Sequence, residues 1–408
     1  MPYISTLLRE SSENISYKKA VFLGLGFFII TATWSLYNSF VPIFLKRFIA
    51  GETLIGLIMT FDNIAAITLQ PYFGALSDNT DSRFGHRMPF LLIGVPIAAL
   101  FFALIPLANN IWLLLFFIII MNFSMSVFRS PTIALMPDLT PPRFRSKANG
   151  VINLMGGAGA VLTYLLGSYL YDINPLIPFV LFAIIMIVIL ILFLLKIKEP
   201  PVPKSKHRIR ITAVIKNVFT ATDKKVLYVL MAIFFWFFGF SGVETFFTLY
   251  GREFLMIKES AAAMSLTFFS LSFVIFSLPS GFLSARIGRK KTIISGITGL
   301  IIVFSTVLFL RNLLFLRIAL GVGGIFWALI NINSYPMVVD EAGEKIGAYT
   351  GLYYFFTTIP AILSPIFVGF IIENLGYIML FVNAVGAFIL ALYFMLKVED
   401  ERTEGLEK

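Results

Sequence analysis

Asp62, Arg129, Glu244 and Arg317 interrupt stretches of sequence that are otherwise apolar, and their types are the ones that could do chemistry there. A charged group in a low-dielectric setting is costly, so by default it faces a cavity or a partner. Asp62, followed by Asn63, lies 12 residues before Gly74, which is roughly 18 Å along a helix at 1.5 Å per residue. Burial at that depth disfavours the charged carboxylate, which a proton or a cation can neutralise. Asp62 therefore reads as the site of a coupling ion, proton or sodium, or of substrate contact. A structural ion pair or hydrogen-bond anchor between helices is the plainer alternative. Arg129 presents a planar fork that suits paired hydroxyls or a carboxylate; a gate salt bridge with acids near the end of its helix is equally open. Its counterpart 202 residues later is Asn331, also polar. Glu244 lies about 18 residues into its helix, near the far surface, and reads as a gate or solvated residue on that side ahead of a coupling one. Arg317, one turn into its helix, can snorkel outward.

Aromatic and amide side chains recur beside these charges. Asn38 is four residues from Trp34 and Asn331 four from Trp327, a spacing that puts each pair on one helix face. Trp236 is a third tryptophan at middle depth, whereas tryptophans usually belt the membrane interface. Gln70 and Asn153 add two more amides. An aromatic face beside amide donors can hold a sugar, its ring against the aromatic and its hydroxyls on the amides. Ordinary packing explains any one of these residues equally well.

The elements that must position these groups follow from composition. The chain has 408 residues, 58% hydrophobic and 13% charged, against about 25% charged in a soluble domain. Runs of about 20 apolar residues read as membrane-spanning helices. Helices 1 to 6 fall near 20–45, 54–77, 88–108, 111–136, 146–170 and 176–197. Helices 7 to 12 fall near 225–250, 260–285, 291–310, 313–338, 346–372 and 376–397. The expected fold is an all-α integral membrane protein with two six-helix bundles, 1–197 and 225–408, joined by a linker over 198–224. That linker is the only long polar connection, and its IRITAVIKNVF stretch suits a basic amphipathic helix on the membrane surface. The first 19 residues are polar, without a short apolar core and cleavage site, so no removable signal is expected.

An even number of helices places both termini on one side, and charge selects the side. Lys and Arg number 25 on the terminal side, 5 on the other and 2 within helices. That asymmetry predicts cytoplasmic termini. It also explains the net charge of +10 as topology, with attraction to anionic lipid as a by-product and no nucleic-acid partner. The chain has no cysteine, and both histidines, His86 and His207, fall in predicted loops. Neither a metal site nor a cofactor is expected. No Walker A pattern suggests nucleotide drive, and no clustered acid, histidine or Ser–His pair suggests an enzyme. No charge ring or filter-like loop suggests a channel.

Between helices 2 and 3 the chain reads PYFGALSDNTDSRFGHRMPF, with Gly74, Asp78, Arg83, Gly85 and Arg87 packed into a tight charged turn. A weaker copy, GFLSARIGRKK, begins 207 residues after Gly74 and contains Gly281, Arg286, Gly288 and Arg289. Asp138 and Asp340, 202 apart, each end a helix before a basic turn. Such paired features indicate two repeats, a pattern common in transporters. Glycines 156, 157 and 159 in helix 5, and 321, 323 and 324 in helix 10, read as surfaces for close helix approach.

These residues resemble the major facilitator superfamily across essentially the whole chain. Its loop pattern, close to G-x-L-[SA]-D-R-x-G-R-[RK], is matched by Gly74, Leu76, Ser77, Asp78, Gly85, His86 and Arg87. The longer form resembles the sucrose-transporter-like branch, through Gln70, Pro71, Gly74, Ser77, Asp78, Ser82, Arg83, Phe84, Gly85, Arg87, Pro89 and Phe90. His86 replaces the first Arg of the motif's pair, and Ala285 stands where the second copy would carry its acid. Plant members of the branch carry an acid in helix 4 where this chain has Asn122, and an Arg where it has Ile133. Asn122 is retained as a substrate-contact candidate, without the plant-type proton site. The resemblance implies a monomeric carrier in the cell membrane that moves a sugar or glycoside, disaccharide in class, with a proton. Asp78 would then latch the cytoplasmic side. Export of amphipathic compounds by proton antiport is the competing expectation.

Overall fold

The computed structural model describes residues 17–140, 145–197, 199, 224–340 and 346–398. Among them are twelve helices long and apolar enough to cross a membrane. They are α1 (Ala20–Lys46), α2 (Glu52–Asp78), α3 (Met88–Leu107), α4 (Ile111–Leu139), α5 (Gly150–Ile173) and α6 (Leu176–Lys196). The second set is α7 (Lys225–Glu253), α8 (Glu259–Ile287), α9 (Arg289–Val307), α10 (Leu313–Val339), α11 (Tyr349–Leu375) and α12 (Met379–Leu396). Helix starts repeat as closely as the loops do. Asn110 accepts a hydrogen bond from the Leu113 amide at 2.9 Å, and Asn312, 202 residues on, accepts one from Leu314 at 2.8 Å. Each satisfies an amide that the helix itself leaves without a partner.

Two helices expected to be regular are interrupted. Helix α2 breaks at Thr60, which separates Glu52–Met59 from Phe61–Asp78. There the Thr60 hydroxyl turns back to the Leu57 carbonyl at 2.7 Å. Helix α5 widens into a π turn over Thr163–Gly167 before Ser168–Ile173. Such turns leave backbone groups outside the regular ladder and are frequent at functional sites. Asp62 follows the first break, and Tyr164 lies in the second irregularity.

The first six helices pack as α1 on α5, α2 on α4, and α3 on α4 and α6. The last six repeat this: α7 on α11, α8 on α10, and α9 on α10 and α12. Three seams join the sets, α1–α7, α2–α11 and α5–α8. In the α2–α11 seam Gly56 lies against the Pro365 carbonyl and Gly369 against that of Glu52, so a methyl group at either position would collide with backbone. Polar bonds reinforce the end of this seam away from the termini. Glu373 accepts from the amide and hydroxyl of Thr53 at 3.1 and 2.6 Å, and Tyr377 donates to Glu52 at 2.9 Å. Lys46 pairs with the same Glu52. In the α5–α8 seam Ser260 donates to Asp172 at 2.7 Å. Residues 200–223, with the basic amphipathic stretch expected there, lie outside the described residues.

Candidate functional site

Between the two sets, α1, α2, α4, α5, α7 and α11 bring polar side chains into one cluster. Asp62 is half-buried and accepts a hydrogen bond from its neighbour Asn63 at 2.9 Å. Arg129 is the positive charge acting on it, and Glu244 the negative one. The Arg129 guanidinium lies 5.9 Å from the centre of the Trp34 ring, within the range at which a ring face attracts a cation. Trp34 in turn stands edge-on to Tyr37, with ring centres 5.3 Å apart. Asn122, buried on α4, donates to the Tyr37 hydroxyl at 3.2 Å. From the second set, Glu244 accepts from Asn38 at 3.2 Å, and Tyr354 faces Arg129 electrostatically.

Several polar atoms in this cluster are buried without a hydrogen-bond partner: Trp34 Nε1, Arg129 Nε and Asn122 Oδ1. Buried polar atoms are normally paired, and these three have no protein partner. With the aromatic face of the half-buried Trp34, the site can stack an apolar ring surface. The carboxylate of Asp62 can take up a proton.

The structure thus brings together Trp34, Asn38, Asp62, Asn63, Asn122 and Arg129. The motif acids Asp78 and Asp138 pair with Arg87, while Arg129 lies beside Trp34. Glu244 joins the central cluster through its bond to Asn38 across the α1–α7 seam. Trp236 is a correction to the expected cavity lining: it is fully buried in the core of the second set, its Nε1 without a hydrogen-bond partner. Trp327 is likewise buried, stacked on Phe240 with ring centres 4.2 Å apart. Asn331 and Gln70 are half-buried and Asn153 is exposed, none of them with a side-chain hydrogen bond to the cluster. Asn333, two residues beyond Asn331, instead ties α10 to Ser280 on α8 at 2.9 Å. Tyr37, Tyr164 and Tyr354 were not singled out by sequence reasoning. The spacing of Tyr37 three residues after Trp34 was the available signal.

At the terminal end of the molecule, Arg87 is almost wholly covered and bonds Asp138 at 2.9 Å and Asp78 at 2.5 Å. It also donates to Ser77 at 2.5 Å. Burial opposes a positive charge there, but Asp138 and Asp78 more than compensate and hold the guanidinium above its ordinary pKa. Asp78 thus pairs within its own half here. The carboxylate at the N-terminus of α3 is Glu199, which accepts from the amides of His86, Arg87 and Met88 at 2.7, 2.8 and 2.8 Å. Gly85 adopts φ 105°, and a Cβ there would collide with Glu199. Arg83 lies over the Phe84 ring at 4.7 Å. In the second copy Arg289 pairs with Asp340, Gly288 adopts φ 90°, and Arg286 is exposed. Gly281 has open space around it.

The chain matches the Major Facilitator Superfamily over residues 23–266 and 254–408. It belongs to that family. It is therefore a multi-pass membrane transporter and not an enzyme, with the all-helical fold of that family. An uncharacterised MFS-type transporter of Methanocaldococcus jannaschii is 26% identical over 89% of this chain and 89% of its own length. Multidrug resistance protein 2 of Bacillus subtilis is 23% identical over 91% of this chain and 94% of its own. Proton-associated sugar transporter A of Homo sapiens is 28% identical, over 38% of this chain and only 23% of the human protein. Among solved structures, a mutant of the nucleoside transporter NupG superposes with a TM-score of 0.75 at 15% identity, over 93% of this chain and all of NupG.

Proposed function

We propose that this protein is a secondary active transporter that moves a sugar or glycoside, disaccharide in class, together with a proton. The observation that carries this reading is the cluster of Asp62, Arg129, Trp34, Tyr37 and Asn122. It joins a carboxylate able to take up a proton to unpaired donors and an aromatic face, where two repeats meet. Alternating access would rock the two six-helix halves, 1–197 and 225–408, about this cluster. A proton taken onto Asp62 removes a buried negative charge and lets the loaded carrier reorient. Trp34 and Arg129 would hold the solute, with Asn38, Asn63 and Asn122 completing the contacts; Gln70, Asn153, Trp327 and Asn331 are secondary candidates. The sucrose-transporter-like loop and the partial likeness to a proton-associated sugar transporter support the sugar class. The Lys and Arg distribution supports cytoplasmic termini, in a carrier placed in the cell membrane and acting as a monomer. In that orientation the seams that join the halves at the far end correspond to a carrier closed to the outside.

One observation favours a second reading, proton-driven export of amphipathic compounds. The cluster holds two carboxylates, Asp62 and Glu244, against the single charge of Arg129, and its walls are aromatic, which also suits an organic cation. The test is uptake of a panel of labelled disaccharides into vesicles containing the purified protein, with and without an inward proton gradient. Accumulation of one sugar that collapses with a protonophore is the expected result. Gradient-driven movement of a lipophilic cation, with no sugar uptake, would overturn the sugar reading and leave the exporter.

A further inference from the structure

The two pieces of α2 are held by different halves of the molecule. The inner piece, Phe61–Asp78, which carries Asp62, packs chiefly on α4 of its own half. The outer piece, Glu52–Met59, packs more heavily on α11 than on α1 or on the inner piece. Its contact with α11 brings backbone to backbone, Gly56 against Pro365 and Gly369 against Glu52, an approach that only small residues permit. Between the pieces the buried Thr60 turns its amide and its hydroxyl back to the outer piece. One regular helix ends there and another begins.

The start of the outer piece is capped from across the seam. The first amides of a helix have no partner within it, and Gly51 at the cap position makes no side-chain bond to them. Glu373 of α11 supplies the cap, accepting from the Thr53 amide at 3.1 Å and its hydroxyl at 2.6 Å. A carboxylate also suits the positive end of a helix. The bonding is reciprocal, because Glu52, buried in the same turn, accepts from Tyr377 of the second half at 2.9 Å. Its other partner is Lys46 of the first half.

We propose that the outer piece Glu52–Met59 is a hinged gate at the end away from the termini, latched shut by Glu373 and Tyr377, and that it swings at Thr60 without carrying Asp62 with it. This goes beyond the reading above and rests on neither its sugar nor its proton. Opening gives up the cap on Thr53 and the Tyr377 bond, both of which water replaces once the gate leaves α11. Lys46 keeps Glu52 paired as the gate moves, so no charge is left alone.

The chain has no cysteine, so spin labels on introduced cysteines report without background. Leu54→Cys with Phe309→Cys measures the gate against the second half, and Leu107→Cys with Phe309→Cys measures one half against the other; all three side chains are exposed. The full-length protein is reconstituted in lipid without added solute and read by pulsed electron resonance. Glu373→Ala should raise the longer-distance population of the first pair about fivefold, as loss of a helix cap does, and leave the second pair unchanged. Tyr377→Phe should act in the same direction, and Thr53→Ser, which keeps both donors, should match wild type. An unchanged first pair in both Glu373→Ala and Tyr377→Phe would overturn the latch. Equal lengthening of both pairs would overturn the hinge at Thr60 and leave the halves moving as whole bodies. Failure of the sugar or proton reading would show in the vesicle assay and leave these distances as they are.

Discussion

The α2–α3 and α8–α9 loops are two copies of one turn, and they differ in how firmly each is tied down. Both hold a glycine at positive φ, Gly85 and Gly288. Both bring an arginine to the acid that ends a helix of the same half, Arg87 to Asp138 and Arg289 to Asp340. The first copy carries four extra residues, 79–82, before its glycine, and His86 stands between Gly85 and Arg87, whereas Arg289 follows its glycine directly. The first arginine has a side chain 7% exposed and shared by two acids; the second is 40% exposed, and Ala285 stands where the other acid would be. Among the described residues, only the first copy has a linker carboxylate on the amides that follow its glycine. A buried, multiply bonded arginine is costly to disturb, while an exposed pair contributes little. The first loop is therefore a rigid fixture of its half, and the second a weak contact that can break during each transport cycle.

The largest effect expected from this contrast is at the arginines. Arg87→Ala leaves Asp78 and Asp138 without their cation and should cost about 3 kcal/mol or more. Arg289→Ala should cost under about 1 kcal/mol. Thermal unfolding of the two variants in detergent measures the gap, and equal losses would break the comparison. Next comes Glu199→Ala, which frees three amides at the start of α3 and should cost about 1–2 kcal/mol, in line with loss of a helix cap. Its midpoint should fall measurably, while a wild-type midpoint would show the linker carboxylate to be idle. The smallest effect sharpens the contrast by converting one loop into the other. Asp78→Ala should lower stability by about 1 kcal/mol, because that carboxylate is half exposed to solvent. Ala285→Asp should raise it by a few tenths of a kcal/mol through a new contact with the neighbouring arginines. No change in either direction would mean that the acid at this place is not what separates the copies.

Much of this architecture was legible in the sequence because lipid imposes a strict length on apolar runs. The twelve helices fell where the runs predicted, and the repeat was visible in Asp138 and Asp340. What could not be read was rotation about each helix axis and the local breaks. Trp34 and Trp236 looked equivalent by depth, yet one meets Arg129 and the other is packed away, a difference set by neighbouring helices. Residue counting gives the depth of Glu244 along a helix of 29 residues, but not its bond to Asn38 across the seam. The break at Thr60 carries no proline or glycine at the break itself. Glu199 was hidden in a linker whose proline and basic residues drew the attention.

The most direct test of the central claim is the Asp62→Asn variant, compared with wild type in the same vesicles for two activities: accumulation of sugar driven by an inward proton gradient, and exchange of labelled for unlabelled sugar at equilibrium. If Asp62 couples transport to protons, accumulation is abolished while exchange persists in part. If the variant still concentrates sugar against its gradient, Asp62 is not the coupling site and the central cluster only binds substrate.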